Sequence, residues 1–143
     1  MFDSICVVCI GNICRSPIGE RLLQRSFPNK KITSAGIAAV VGDPAHENSQ
    51  WVAEQNNLSL AGHRARQLTS NICAEQDLIL VMEKPHIEAV CRIAPEVRGK
   101  VMLYGHWLNE FEILDPYGGD LDLFEKTYLD LDKSNKAWIE KLK

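Results

Sequence analysis

Apolar residues follow two rhythms along this chain. Unbroken runs such as Ile5-Cys6-Val7-Val8 and Leu78-Ile79-Leu80-Val81-Met82 alternate with stretches in which apolar positions recur every three or four residues. The unbroken runs suit strands covered on both faces, and the spaced ones suit amphipathic helices. Strands are expected at Ile5 to Val8, Lys31 to Ala35, Asp77 to Met82 and Lys100 to Tyr104. Helices are expected from Pro17 to about Phe27, stopped by Pro28-Asn29, and from His46 to Asn56. A short one, capped by Thr69 or Ser70, runs to about Glu75, and another from Pro85 to about Ile93. From Gly119 onward Leu121, Phe124, Tyr128, Leu131, Trp138 and Leu142 form one stripe of a long closing helix, which Asn135 interrupts and should border. Gly36 to Pro44 reads as a loop and Leu58 to Leu68 as irregular chain.

Strands alternating with helices predict an α/β fold, a parallel sheet with helices on both faces. Ligands of such sheets sit beyond the carboxyl ends of the strands. The 143 residues suffice for one self-supporting core, and neither repeat nor linker divides them, so residues 1–143 are expected to form one domain.

Charge and cysteine usage narrow the function classes. A net charge of -3 argues against a nucleic-acid binder, which would present a basic face. The N-terminal segment lacks a basic n-region, and its apolar run is too short to span a bilayer, so a cytoplasmic protein without membrane insertion is expected. Five cysteines, at 6, 9, 14, 73 and 91, form no pair of Cys-x-x-Cys motifs, which disfavours a zinc site or a disulfide framework. Cys6 and Cys73 read as small apolar filler. Asp120, Asp122, Glu125, Asp130 and Asp132 read as a solvated helix face with no metal role, and Arg64 and Arg66 as surface charge.

One stretch carries chemistry: Cys9-Ile10-Gly11-Asn12-Ile13-Cys14-Arg15-Ser16-Pro17, on the turn from the first strand to the first helix. Helix N-termini leave backbone N–H groups without intrahelical partners, and the macrodipole there is positive, so oxyanions bind. Gly11 and Asn12 tolerate left-handed backbone angles, which lets successive amides turn inward as a nest. Arg15 adds a planar fork for two oxygens of the same anion. Ser16 suits the N-cap and Pro17 the first helical position. A cysteine in this field is favoured as thiolate, so Cys9 is the candidate nucleophile toward a phosphate bound by residues 10 to 16. Breaking a phosphomonoester also requires an acid for the leaving oxygen. Asp115 in Asp115-Pro116-Tyr117-Gly118-Gly119 is either that acid or part of a plain turn ahead of the last helix.

The segment Val8 to Pro17, with Ser34-Ala35-Gly36 and Asp115-Pro116-Tyr117, closely resembles the low-molecular-weight protein tyrosine phosphatases. Leu78 to Lys84 and Ala94 to Lys100 look most like the bacterial members paired with tyrosine kinases of capsule and exopolysaccharide export. The resemblance covers nearly the whole chain. It implies a four-stranded parallel sheet, a cytoplasmic enzyme, and hydrolysis of phosphotyrosine without metal or cofactor, in two steps through a cysteinyl-phosphate. In that scheme Cys9 attacks phosphorus, and Arg15 with the amides of Ile10, Gly11, Asn12, Ile13, Cys14 and Ser16 holds the oxygens. Asp115 serves as acid and then base, and the Ser16 hydroxyl supports the thiolate. Asn12, Ser34 and His63 would brace the loop, with a plain surface histidine as the alternative for His63. Tyr117 would wall one side of a slot for the phosphotyrosine ring. The opposite wall, around Val40 in Ile37 to Val41, is aliphatic here where many relatives carry an aromatic residue. Cys14 either fills space or traps an oxidised Cys9 as a disulfide. The implied partner is a tyrosine-phosphorylated protein, a bacterial tyrosine autokinase in particular. Two rival readings remain open: an arsenate reductase relaying electrons through Cys73 and Cys91, and a non-catalytic phosphotyrosine-binding module.

Overall fold

A computed structural model describes residues 2–143; Met1, the first residue of the expected 1–143 unit, lies outside them. The strands are β1 (Ser4–Cys9), β2 (Lys31–Gly36), β3 (Leu78–Val81) and β4 (Val101–Leu103). The helices are α1 (Arg15–Ser26), α2 (Glu47–Gln55), α3 (Ser70–Ala74), α4 (Lys84–Ile93) and α5 (Leu121–Leu142), with a 3-10 turn at Pro95–Lys100. All four strands pair in parallel in the order β2-β1-β3-β4, as the alternating pattern predicts.

The alternation of side chains along β1 explains why both faces are covered. Ile5 and Val7 point into a core shared with α1, α2 and α5, through Ile18, Leu22, Val52, Phe124 and Leu131. Cys6 and Val8 point into the other core, with Cys73 of α3, Val90 of α4 and Val97. Burying a strand on both sides requires the uninterrupted apolar run read in the sequence.

Gly19 sits on the inward face of α1 because a Cβ there would approach Val7 and Tyr104 to 3.0 Å. The helix therefore lies close over the sheet, and the buried Tyr104 hydroxyl donates to the Gly19 carbonyl at 3.0 Å. Trp138 Nε1 donates in turn to the Tyr104 carbonyl at 2.8 Å, tying α5 to the same spot.

Asn135 departs from expectation. It is buried on α5 together with Leu131, Ser134 and Trp138, and does not border the stripe. Its Oδ1 and the Ser134 hydroxyl lack hydrogen-bond partners, so this helix face is less apolar than the stripe suggested. Thr69 is the cap of α3, accepting from the Ile72 amide at 3.2 Å.

Chain order places the site. From β1 the chain goes to β2 on one side and then returns to β3 on the other, so β1 ends at the topological switch point. The Cys9 loop leaves the sheet there.

Candidate active site

The loop after β1 is shaped by its carbonyls. Those of Cys9, Ile10 and Gly11 accept from the amides of Ile37, Ala38 and Val40, at 2.9, 2.9 and 3.1 Å. Asn12 O takes His63 Nε2 at 2.7 Å, Ile13 O the His46 amide at 2.8 Å, and Cys14 O the Ser49 hydroxyl at 3.1 Å. Six consecutive carbonyls thus point outward. In a planar trans peptide the following N–H points the opposite way, so the amides of residues 10 to 15 converge on the pocket side. Since Asn12 O can only accept, His63 carries its proton on Nε2. Burial holds the His63 imidazole below its ordinary pKa, against the raising effect of that carbonyl.

Asn12 is the hub of the loop. It adopts φ 59°, the left-handed region that asparagine tolerates, whereas Gly11 does not enter it. Its Nδ2 donates to Ser16 Oγ at 2.7 Å and to Ser34 Oγ at 3.1 Å, and its Oδ1 accepts the Arg66 amide at 2.9 Å. Ser34 passes its own proton to Glu20 Oε1 at 2.7 Å. Ser16, already accepting from Asn12, has its proton free for Cys9 Sγ at 3.0 Å. The direction of the whole chain of bonds delivers a donor to the sulfur, which favours thiolate.

Arg15 is the largest buried side chain of the site, 1% exposed. A buried guanidinium needs a paired charge, and Glu83, immediately beyond β3, supplies it: Oε2 lies 2.6 Å from Nη1. The Ile113 carbonyl accepts from the same Nη1 at 2.8 Å. Nε is buried without a hydrogen-bond partner, so the Nε and Nη2 edge is left for a ligand. Asp115 Oδ2 stands 3.7 Å from Nη2 at the rim, 44% exposed, with Oδ1 accepting the Tyr117 amide at 3.1 Å.

These groups enclose a pocket of about 290 Å³. It is lined by Cys9, Ile10, Gly11, Ile13, Cys14 and Arg15 of the loop, with Ala38, Val40, Asp115 and Tyr117. Tyr117 is largely exposed, and its ring meets the His46 ring edge-on at 5.8 Å; His46 stacks on Phe124 at 4.8 Å. Burial, followed by the nearby Asp115 and Cys9 charges, pushes the Cys14 thiol up to about 12. Among the described residues no group of three or more His, Cys, Asp or Glu is arranged to hold a metal ion, and no helix is long and apolar enough to cross a membrane.

Several expectations are corrected. Helix α1 begins at Arg15 with Cys14 at the N-cap, so Ser16 and Pro17 lie inside the first turn. The Ser16 hydroxyl is engaged with Cys9 instead of capping, which leaves the terminal amides to the pocket. The side chains of Asn12 and Ser16 brace the pocket from behind and do not line it. Arg66 is not free surface charge: half-buried, it donates through Nε to the Ser34 carbonyl at 2.8 Å. Asp120 does more than face solvent, accepting the Leu123 amide at 3.1 Å as the α5 cap. Glu83, Glu20, His46 and Ser49 were missed. For Glu83 a signal existed, a lone carboxylate at the carboxyl end of a central strand, where ligands of parallel sheets gather.

Comparison with known proteins agrees with this geometry. A family model described as low molecular weight phosphotyrosine protein phosphatase matches residues 4–143. The probable low molecular weight protein-tyrosine-phosphatase AmsI of Erwinia amylovora is 54% identical over 142 residues, spanning 99% of both proteins. The crystal structure of the tyrosine phosphatase Wzb from Escherichia coli K30 in complex with sulphate superposes with a TM-score of 0.98 at 55% identity, covering 100% of each chain. Vibrio vulnificus Wzb in complex with benzylphosphonate gives a TM-score of 0.96 at 48% identity, covering 99% of each chain. With residues 4–143 matched and half of all positions identical to named members, the chain belongs to the low molecular weight phosphotyrosine protein phosphatase family.

Proposed function

We propose that this phosphatase hydrolyses protein phosphotyrosine without a metal, Cys9 acting as nucleophile, Arg15 as phosphate ligand and Asp115 as acid and base. The observation that carries the reading is the run of six outward carbonyls, which leaves consecutive amides aimed above Cys9. Cys9 Sγ attacks phosphorus while the P–O bond to the phenol breaks and Asp115 gives that oxygen a proton. The amides of Ile10, Gly11, Asn12, Ile13, Cys14 and Arg15, with the free edge of Arg15, carry the equatorial charge. Ser16 contributes through its hydroxyl. In the second step Asp115 takes a proton from water, the water oxygen bonds to phosphorus, and the S–P bond breaks to release phosphate and restore the thiolate.

Asn12, Ser34 and His63 keep the loop in shape, and Tyr117 faces Val40 across the slot. An aliphatic Val40 forgoes a ring–ring contribution of roughly 0.5–1.5 kcal/mol, which shifts recognition from the phenyl ring toward the surrounding protein. Cys14 serves as the resolving thiol for an oxidised Cys9: its thiol attacks the sulfenic acid, forming a disulfide and releasing water. The partner is a tyrosine-phosphorylated protein in the cytoplasm, of the class of bacterial tyrosine autokinases in capsule or exopolysaccharide synthesis. The segments Leu78 to Lys84 and Ala94 to Lys100 and the identity to AmsI and Wzb support that choice.

Arsenate reduction would need two further thiols relayed to Cys9. Cys73 is buried in the core on the opposite face of the sheet, and Cys91 is buried on α4, which packs on that same opposite face. A mere binding module has no use for a carboxylate at 3.7 Å from the phosphate arginine. The test is turnover of an aryl phosphate and of a phosphotyrosine peptide in chelator. Wild type should be active, Cys9→Ser inactive, and Asp115→Asn slowed with a flattened basic limb. Undiminished turnover in Cys9→Ser overturns the reading.

A further inference from the structure

We propose that His46 is a positioning residue for the aromatic wall of the slot, fixing the Tyr117 ring beside the phosphate pocket; this rests on the assignment of Tyr117 to that wall. The backbone of Tyr117 sits in a closed turn: its amide donates to Asp115 Oδ1 at 3.1 Å, and the Gly119 amide donates to the Pro116 carbonyl at 2.8 Å. The side chain is not held in this way. Tyr117 is 65% exposed, and among the described residues the only ring that meets it is that of His46, edge-on at 5.8 Å.

His46 can serve as a support because it is itself pinned. Its ring stacks on that of Phe124, a buried core residue of α5, at 4.8 Å and an interplanar angle of 28°. Nδ1 accepts the Asn48 amide at 3.1 Å, which makes His46 the N-cap of α2 and leaves the proton of the neutral ring on Nε2. The main chain is bound on both sides, the amide donating to the Ile13 carbonyl at 2.8 Å and the carbonyl accepting the Gln50 amide at 2.9 Å. A ring held at these points has given up its rotamer freedom on folding. Tyr117, resting on it, gives up less of its own when a substrate ring enters, which is a gain in affinity by preorganisation.

One residue thereby joins the two parts of recognition. Its main chain braces the anion loop through Ile13, and its side chain braces the wall through Tyr117. The two roles are separable, because every residue except proline keeps the amide that holds Ile13. Loss of the ring should therefore weaken binding of an aryl group and spare binding of the bare anion.

The test compares two inhibitors of aryl phosphate turnover: benzylphosphonate, which carries a ring and an anion, and inorganic phosphate, which carries the anion alone. The readout is the ratio of phosphonate affinity to phosphate affinity. His46→Asn keeps a side-chain acceptor for the helix cap and removes the ring. It should lower the ratio about three- to tenfold, the range of one aromatic pair, with phosphate inhibition unchanged. His46→Phe keeps a ring between Phe124 and Tyr117 and removes the acceptor; it should keep the wild-type ratio and lower the urea midpoint. A wild-type ratio in His46→Asn, including one in which both inhibitors weaken together, overturns the proposal, and so does a ratio in His46→Phe as low as in His46→Asn. Tyr117→Ala is the control. If it keeps the wild-type ratio, the assignment of Tyr117 to the wall has failed; if it lowers the ratio while His46→Asn does not, the positioning role alone has failed. Adding His46→Asn to Tyr117→Ala should lower the ratio no further, and a further loss overturns the proposal. Should His46→Asn fail to fold, nuclear Overhauser contacts between the Tyr117 and His46 ring protons of the wild type decide: their presence supports the proposal and their absence overturns it.

Discussion

Ser16 Oγ lies 3.0 Å from Cys9 Sγ, and its proton has nowhere else to go, because Asn12 already donates to the same oxygen at 2.7 Å. The bond is therefore directed at the sulfur, and it is worth most when the sulfur is charged. Removing the hydroxyl in Ser16→Ala should lower kcat roughly 10- to 100-fold, from about 1.5–3 kcal/mol for a hydrogen bond to a charged group. Alkylation by iodoacetamide at a fixed neutral pH should slow in parallel. If both rates match wild type, the hydroxyl does not serve the nucleophile.

Gly36 makes the loop's shape possible from the neighbouring strand. It pairs in register with Cys9, and a Cβ there would stand 2.5 Å from the Ile10 carbonyl oxygen and 3.0 Å from Asn12 Cβ. Gly36→Ala must push the anion loop away from β2. Overpacking of this kind costs about 1–3 kcal/mol in urea unfolding. The displaced amides should cut kcat/KM of the folded protein by about tenfold or more, since small misplacements of catalytic groups are costly. Wild-type kinetics in this variant would mean that the close approach is unimportant.

The sequence made most of the scaffold legible and only part of the bracing. The four strands and five helices were readable because the sheet is buried on both faces, which writes Ile5 to Val8 and Leu78 to Val81 as uninterrupted apolar runs. Cys9, Arg15 and Asp115 were readable from local spacing and resemblance, and all three line one pocket. Glu83 carries only the positional signal of a lone carboxylate just beyond a central strand; its pairing with Arg15, 68 positions away, is not legible in the sequence. Arg66 reads as surface charge for the same reason: its partners Asn12 and Ser34 come from the loop after β1 and from β2, far away in sequence. The expected helix start at Pro17 is two residues late because Ser16-Pro17 mimics a capping pair, while the hydroxyl is drawn inward by the sulfur.

Acid should weaken the fold through its buried histidines. Burial holds the His63 pKa below the ordinary 6.5, so between the folded value and 6.5 the unfolded chain binds more protons. The contribution is complete above the unfolded value and is lost as pH falls through the folded one; His86 acts in the same sense. Urea midpoints of the wild type should fall between about pH 7.5 and about pH 5, and His63→Gln should flatten that slope. A midpoint that stays level or rises on acidification contradicts the assignment of His63 as a buried neutral donor to Asn12.

The central claim is that the bond to phosphorus passes through Cys9. Rapid quenching of Asp115→Ala with a 32P-labelled phosphotyrosine peptide, followed by digestion, reads it directly, because loss of the carboxylate slows release of the intermediate as well as its formation. Label should be found on the peptide containing Cys9 as an acid-quenched thiophosphate, and should vanish in Cys9→Ser/Asp115→Ala. Turnover that proceeds without any protein-bound label, or label on a residue other than Cys9, would contradict the account.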